Sequence, residues 1–127
     1  MQEKHLFEYA VIRVVPRVER EEFINVGVIL YCAKKKYLEF AFHINEARFS
    51  AFNSELEIST IERNLQAIAK ICVGGSDAGP IGSLDAASRF RWLTATRSTV
   101  IQSSKVHPGF CNDGEQMLQK LYQELVL

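Results

Sequence analysis

The chain of 127 residues is short of several things that would announce a function. It has no excess charge of either sign, since fifteen Lys and Arg balance fifteen Asp and Glu for a formal net charge of zero. That balance removes the electrostatic footprint of a dedicated nucleic-acid or anionic-membrane binder. Its three cysteines, Cys32, Cys72 and Cys111, are odd in number and widely spaced, which excludes a disulfide framework or a zinc motif and fits a reducing cytoplasm. No apolar run approaches the roughly 18 residues of a membrane span. Residues Met1 to Leu6 are charged and lack the apolar stretch of a secretory leader. There is no internal repeat and no low-complexity tract. What remains is an ordinary globular composition, 47% apolar and 24% charged, on a length that folds without staples. One domain over residues 1–127 is the expectation.

Three segments near the start have β character. Phe7 to Val15 is rich in β-branched and aromatic residues, and Pro16 then withholds a backbone donor. Phe23 to Cys32 resumes the pattern after a short charged link, and Tyr37 to Ile44 alternates apolar residues on one face. These predict a three-stranded antiparallel meander joined by hairpins, with Lys34 to Lys36 as solubilising charge at one tip.

Helices follow. Asn45 is placed to cap a short one carrying Phe49 and Phe52. Ser59 and Glu62 have capping-box spacing ahead of Ile61, Leu65, Ile68 and Cys72, and Gly74-Gly75 supplies the stop. The next stretch, G-G-S-D-A-G-P-I-G-S, reads as a mobile surface loop. Ser83 or Asp85 then caps a helix through Phe90, Trp92 and Leu93, Thr99 to Gln102 forms a fourth strand, and Asn112 or Asp113 caps a last helix over 114–126. Strands first and helices after predict an α+β fold, a small antiparallel sheet with helices packed on one face.

Within the second segment, Asn25 and Gly27 interrupt an otherwise apolar run. Its even positions, Ile24, Val26, Val28, Leu30 and Cys32, are uniformly aliphatic or small. Strict alternation therefore puts the helices over the even face, with Ala10, Ile12, Val14, Leu38, Phe40 and Phe42. The odd face carries Tyr9, Val11, Arg13, Tyr37, Glu39, Ala41 and His43. Pairing Val15 with Phe23 and Tyr31 with Tyr37 aligns Arg13, Asn25 and His43 in one row, a shelf for an anionic or planar group that Gly27 lets come close. The plainer alternative is a solvated face on which Gly27 marks a bulge or packs against an aromatic ring.

The spacing Tyr9-x-x-x-Arg13-x-x-Pro16, then Glu22-Phe23-x-Asn25-Val26-Gly27-Val28, then Phe90-x-x-Leu93-x-x-x-Arg97 running into V-I-Q-S-S, with a closing L-Y-Q-E-L-V, covers nearly the whole chain. It resembles the bacterial family known as domain of unknown function 3037, and E-F-x-N-V-G-V is its most specific part. The resemblance gives weight to Arg13, Glu22, Asn25 and Gly27 without assigning them roles; with His43 and Arg97 they are the candidate binding residues. Members of that family are often encoded beside a protein resembling a HipA-type serine/threonine kinase. A small accessory partner of such a kinase is what the resemblance implies.

Other chemistry is poorly served. His43, His107 and Cys111 lack the further clustered ligand a zinc site needs, so neither metal nor cofactor is expected. Ser98, Ser103, Ser104, His107 and Asp113 invite a triad, but there is no nucleophile elbow around the serines. The glycine stretch lacks the Lys-Ser/Thr ending of a phosphate loop. Arg89, Arg91 and Arg97 around Phe90 and Trp92 form either a basic patch for nucleic acid or a phosphorylated partner, or the solvated face of a helix, and zero net charge favours the second. Two functions remain in competition. The first is a non-enzymatic interaction module. The second is a small enzyme or nucleotide-binding domain in which Arg13 holds an anion, Asn25 orients it and Glu22 or His43 moves a proton, although alternation leaves Glu22 off the shelf.

Overall fold

The computed structural model describes residues 4–52, 55–95 and 99–127. Five strands form one antiparallel sheet: β1 (His5–Val14), β2 (Ile24–Cys32), β3 (Tyr37–Phe42), β4 (Ile101–Ser103) and β5 (His107–Cys111). The path runs β3-β2-β1-β4, and β5 pairs with β1 alongside β4. β1 is thus central, with Ile12 to Val14 against β4 and His5 to Tyr9 against β5. Between β4 and β5 the ladder is completed by a side chain. The Val11 amide donates to Ser104 Oγ at 2.8 Å, and the Ser104 amide donates to the Val11 carbonyl at 2.8 Å.

The helices are α1 (Glu46–Phe52), α2 (Ile58–Val73), α3 (Gly79–Gly82), α4 (Ala86–Leu93) and α5 (Gly114–Leu125). Three caps are as read from the sequence. Asn45 Oδ1 accepts from the Arg48 amide, Asp85 Oδ1 from the Ser88 amide, and Asp113 Oδ1 from the amides of Glu115 and Gln116. The capping box is a correction. α2 begins at Ile58, so Ser59 lies inside its first turn, and Glu57 at the cap accepts from Thr60 Oγ1 instead of from a backbone amide. Ile58 packs on the core, and that contact draws the start of the helix forward. The glycine-rich stretch is a second correction. It folds into a 3₁₀ turn over Ser76–Ala78 and then α3, closed by the Gly75 amide donating to the Gly82 carbonyl at 2.8 Å. β5 is an addition that sequence reasoning passed over, because Pro108 and Gly109 argue against a strand. Gly109 belongs there because the Phe7 ring lies over it, and a Cβ at that position would sit 2.6 Å from Phe7 Cζ.

The α+β order is as expected, but helices cover both faces of the sheet. On one face Ala10, Ile12, Val14, Ile24, Val26, Ile29 and Leu38 are buried against Phe49 of α1, Ile61 and Leu65 of α2, and Phe90 and Leu93 of α4. On the other, Phe7, Val28, Leu30, Cys32 and Cys111 are buried against Leu118 of α5 and Val126 just beyond it. The cause is a β-bulge. Ile12 pairs with Gly27 but Arg13 pairs with Asn25, so Val26 is an extra residue in β2. One extra residue reverses which side chains face which way. Even positions before the bulge and odd positions after it share the first face, which is why Ile29 joins Ile24 and Val26 while Val28 and Leu30 turn to α5.

Candidate functional site

The expected polar row starts correctly and is then displaced. Arg13 does pair with Asn25. The β2/β3 register is one residue away from that expected, with Tyr31 opposite Leu38, and the His43 amide donates to the carbonyl of Val26 at 2.8 Å. α5 ends over this corner. Asn25 Nδ2 donates to the Leu125 carbonyl at 3.1 Å, and Arg48 Nη1 donates to the Val126 carbonyl at 3.4 Å. These two carbonyls belong to the end of a helix, where intrahelical donors run out. A third tie comes from the Tyr122 hydroxyl, which donates to the Phe42 carbonyl at 3.2 Å. The polar groups thus hold α5 on the sheet.

Asn25, His43, Asn45 and Arg48 line a cavity of about 160 Å³ with Val126 and Leu127. Arg13 is turned away from it, its guanidinium carbon 4.1 Å from the centre of the Phe23 ring. That stacking draws a cation over a π-face. Arg13 Nε and Asn25 Oδ1 are both buried without a hydrogen-bond partner among the described residues. Gly27 lies on the opposite face. A Cβ there would meet Phe40 Cε1 at 2.5 Å and the Ala41 carbonyl oxygen at 2.9 Å, so its glycine admits an aromatic ring of the protein itself. Glu22 stands apart, ion-paired to Arg20 in a cavity of about 450 Å³ that Arg17, Ser50 and Glu55 also line. Arg97 lies outside the described residues. Of the six expected binding residues, then, Asn25 and His43 share a cavity, Arg13 adjoins it through the backbone, and Glu22 and Gly27 are elsewhere.

A model of the family described as Protein of unknown function (DUF3037) matches residues 9–126. The chain belongs to that family. No curated protein and no solved structure matches it. The DUF3037 span runs from within β1 to the end of α5, so it takes in both the bulge and the helix that the bulge orients.

The other polar clusters of this DUF3037 protein also have internal partners. Arg89 Nη1 donates to the carbonyls of Ile71 and Cys72 at 2.8 and 2.6 Å, and its Nε to Leu84 at 3.0 Å, which closes the end of α2. Arg91 grips the Glu8 carboxylate with two bonds of 2.8 Å, and that pairing raises the guanidinium's pKa. Ser104 Oγ, besides accepting from Val11, donates to the Lys105 carbonyl, Ser103 Oγ donates to the Ser104 carbonyl, and Asp113 caps α5. His107 packs its ring 5.3 Å from that of Tyr9. Burial pushes the Cys72 thiol up to about 12, and burial beside Cys32 and Asp113 raises that of Cys111. Neither is a ready thiolate nucleophile. Among the described residues, no three His, Cys, Asp or Glu side chains gather as metal ligands. Sequence reasoning missed Arg48 and Tyr122. Neither has a local signal, since their carbonyl partners lie 78 and 80 residues away.

Proposed function

We propose that this DUF3037 protein is a non-enzymatic interaction module, a single domain of the bacterial cytoplasm, whose partner is a HipA-like serine/threonine kinase encoded nearby. The observation that carries the reading is the bond from Asn25 to the end of α5. The residue most exposed to a functional interpretation has a structural duty, holding the end of α5. The kinase as partner rests on the family resemblance. Among the described residues no helix is long and apolar enough to cross a membrane.

Co-expression with the neighbouring HipA-like kinase, followed by size-exclusion chromatography with light scattering, tests the reading. A heterocomplex that persists at micromolar concentration is expected, and two separately migrating proteins would overturn it. Because Asn25 holds α5, substitutions there report on stability and are unsuited to mapping the interface.

One observation keeps a second reading alive. The cavity of about 450 Å³ places Arg17 and Arg20 beside Ser50 and Glu22, and paired arginines with a hydroxyl are a recognisable phosphate-binding set. On this reading the chain is a small nucleotide- or phosphate-binding domain. A thermal-shift screen with nucleotides and phosphorylated metabolites should then give stabilisation that Arg17→Ala removes, and a uniformly flat screen would discard the idea.

A further inference from the structure

Among the described residues His5 is the one polar side chain that is buried, 8% exposed, and its Nδ1 has no hydrogen-bond partner among them. A buried imidazole nitrogen left unpaired is an exception that calls for a cause. Directly across the β1/β5 ladder from His5 is Cys111. Residues opposed in an antiparallel pair project to the same face, with Cβ atoms about 5 Å apart. Cys111 is also buried, at 6% exposed, in the cluster that holds Phe7 and Leu118 under α5. The thiol does not satisfy the imidazole, since Nδ1 has no partner, and its sulfur instead accepts from the Asp113 amide. A nitrogen and a sulfur that face each other without a mutual bond suit a cation between them. Metal bonds of about 2.0–2.3 Å to imidazole and thiolate set the two donors about 4 Å apart.

A third donor is close. Met117 of α5 packs on the same cluster and, with Cys111, lines a depression of about 370 Å³. His5 lines an adjoining one of about 380 Å³ that shares Lys4 and Phe110 with it. Cys32 is buried on the same face and, after burial itself, helps to raise the Cys111 thiol, but it does not gather with His5 and Cys111 as a ligand set. One imidazole, one thiol and one thioether discriminate between metals. Structural zinc takes four donors, whereas thiolate with thioether selects Cu(I). Charge points the same way. Burial keeps the Cys111 proton in place, so a bound cation must displace it. Exchanging a proton for Cu(I) leaves the charge of the buried site unchanged, while a divalent ion adds a positive charge that burial penalises. Asp113, the carboxylate beside Cys111, is already bonded to the amides of Glu115 and Gln116.

We propose that His5, Cys111 and Met117 form a binding site for Cu(I), through the imidazole Nδ1, the thiolate sulfur and the thioether sulfur. On binding, the Cys111 S–H bond breaks, its proton passes to solvent, the S–Cu bond forms and the metal stays in the +1 state. The site is independent of the interaction-module reading and lies at the other end of β1 from Arg13 and Asn25.

Anaerobic titration of the reduced full chain with Cu(I), supplied as its acetonitrile complex in competition with the chelator bathocuproine disulfonate, tests the site, with stoichiometry read by native mass spectrometry. One Cu(I) per chain and one proton released per ion are expected. Cys111→Ser should abolish the binding. His5→Phe and Met117→Leu should each weaken it about tenfold or more, as losing even an outer partner of a metal site does. Met117→Leu conserves volume, so it keeps the test valid if the His5 variant folds poorly. Cys32→Ser combined with Cys72→Ser should leave the affinity unchanged. Absence of one-to-one binding overturns the proposal, and so does displacement of Cu(I) by equimolar Zn(II). Affinity indifferent to both His5→Phe and Met117→Leu overturns it as well, because a thiol would then be acting alone, and loss of binding in the Cys32 and Cys72 variant would place the metal elsewhere.

Discussion

Asn25→Asp changes one donor into an acceptor with almost no change of shape. The Nδ2 bond to the Leu125 carbonyl is lost, at a cost of about 1 kcal/mol for a net hydrogen bond. In its place an ionised carboxylate faces a carbonyl oxygen at the negative end of α5, which costs roughly another 1 kcal/mol in a partly buried setting. The total is about 2 kcal/mol. At roughly 2.1 cal/mol/K of unfolding entropy per residue, a chain of 127 residues should melt about 7 °C lower. The pH dependence is the sharper test. Ionisation is disfavoured at this place, and the protonated carboxyl can donate to Leu125, so the new group's folded pKa is raised above the ordinary value of about 3.9. A raised pKa means the deficit is small below the unfolded value and grows as pH rises through the folded one. Urea unfolding of both proteins at about pH 3.5 and pH 7 reads this directly. The reasoning is refuted by a deficit below about 0.5 kcal/mol at neutral pH, the range of an indifferent surface change, or by a deficit equal at both pH values.

Three further outcomes are expected. Gly27→Ala drives a methyl group into Phe40 and the Ala41 carbonyl and should cost about 1–3 kcal/mol by denaturant unfolding; Gly27→Ala with Phe40→Leu should recover part of it, and additive losses would mean the ring is not the obstacle. Arg89→Ala strips the bonds to the Ile71 and Cys72 carbonyls and should destabilise by about 2 kcal/mol, with faster amide exchange at the end of α2; a silent substitution would show that solvent satisfies those carbonyls equally well. Stability should fall in alkali, because burial raises Cys72 from an ordinary 9.0 to about 12, and burial with Glu39, Glu115 and Asp113 nearby raises Tyr37 from 10.0 to about 12. A raised pKa stabilises fully below the unfolded value and is lost upward through the folded one, so the window is pH 9 to 12. Cys72→Ala should flatten the lower part of that curve, and an unchanged curve would place the titration elsewhere.

The legible parts of the fold were those written in short-range pattern. The first three strands, the caps at Asn45, Asp85 and Asp113, and the apolar stripes of α2 and α5 each follow from residues within a few positions of one another, because alternation, helical period and cap geometry are local. Asn25 and Gly27 were also legible as exceptions in an apolar strand, and the plainer alternative for Gly27, a bulge or an aromatic neighbour, is what the structure contains: the bulge begins beside it and the ring of Phe40 covers it.

Most of what depended on pairing across the molecule was decided elsewhere. Alternation assumes an unbroken strand, and the extra residue Val26 breaks it, so which side of β2 meets α5 follows from the register with β1 and from no local signal. β5 is a strand because Phe7 supplies the surface that Gly109 lacks. The same holds for the row of Arg13, Asn25 and His43. The sequence by itself determined that Arg13 sits across from Asn25 where β1 ends and β2 begins, while the β2/β3 register that was to bring His43 into line was one residue out. Only the tertiary structure decided that Asn25 faces the carbonyls of a helix a hundred residues away, because a buried helix end must find donors wherever the packed chain brings them.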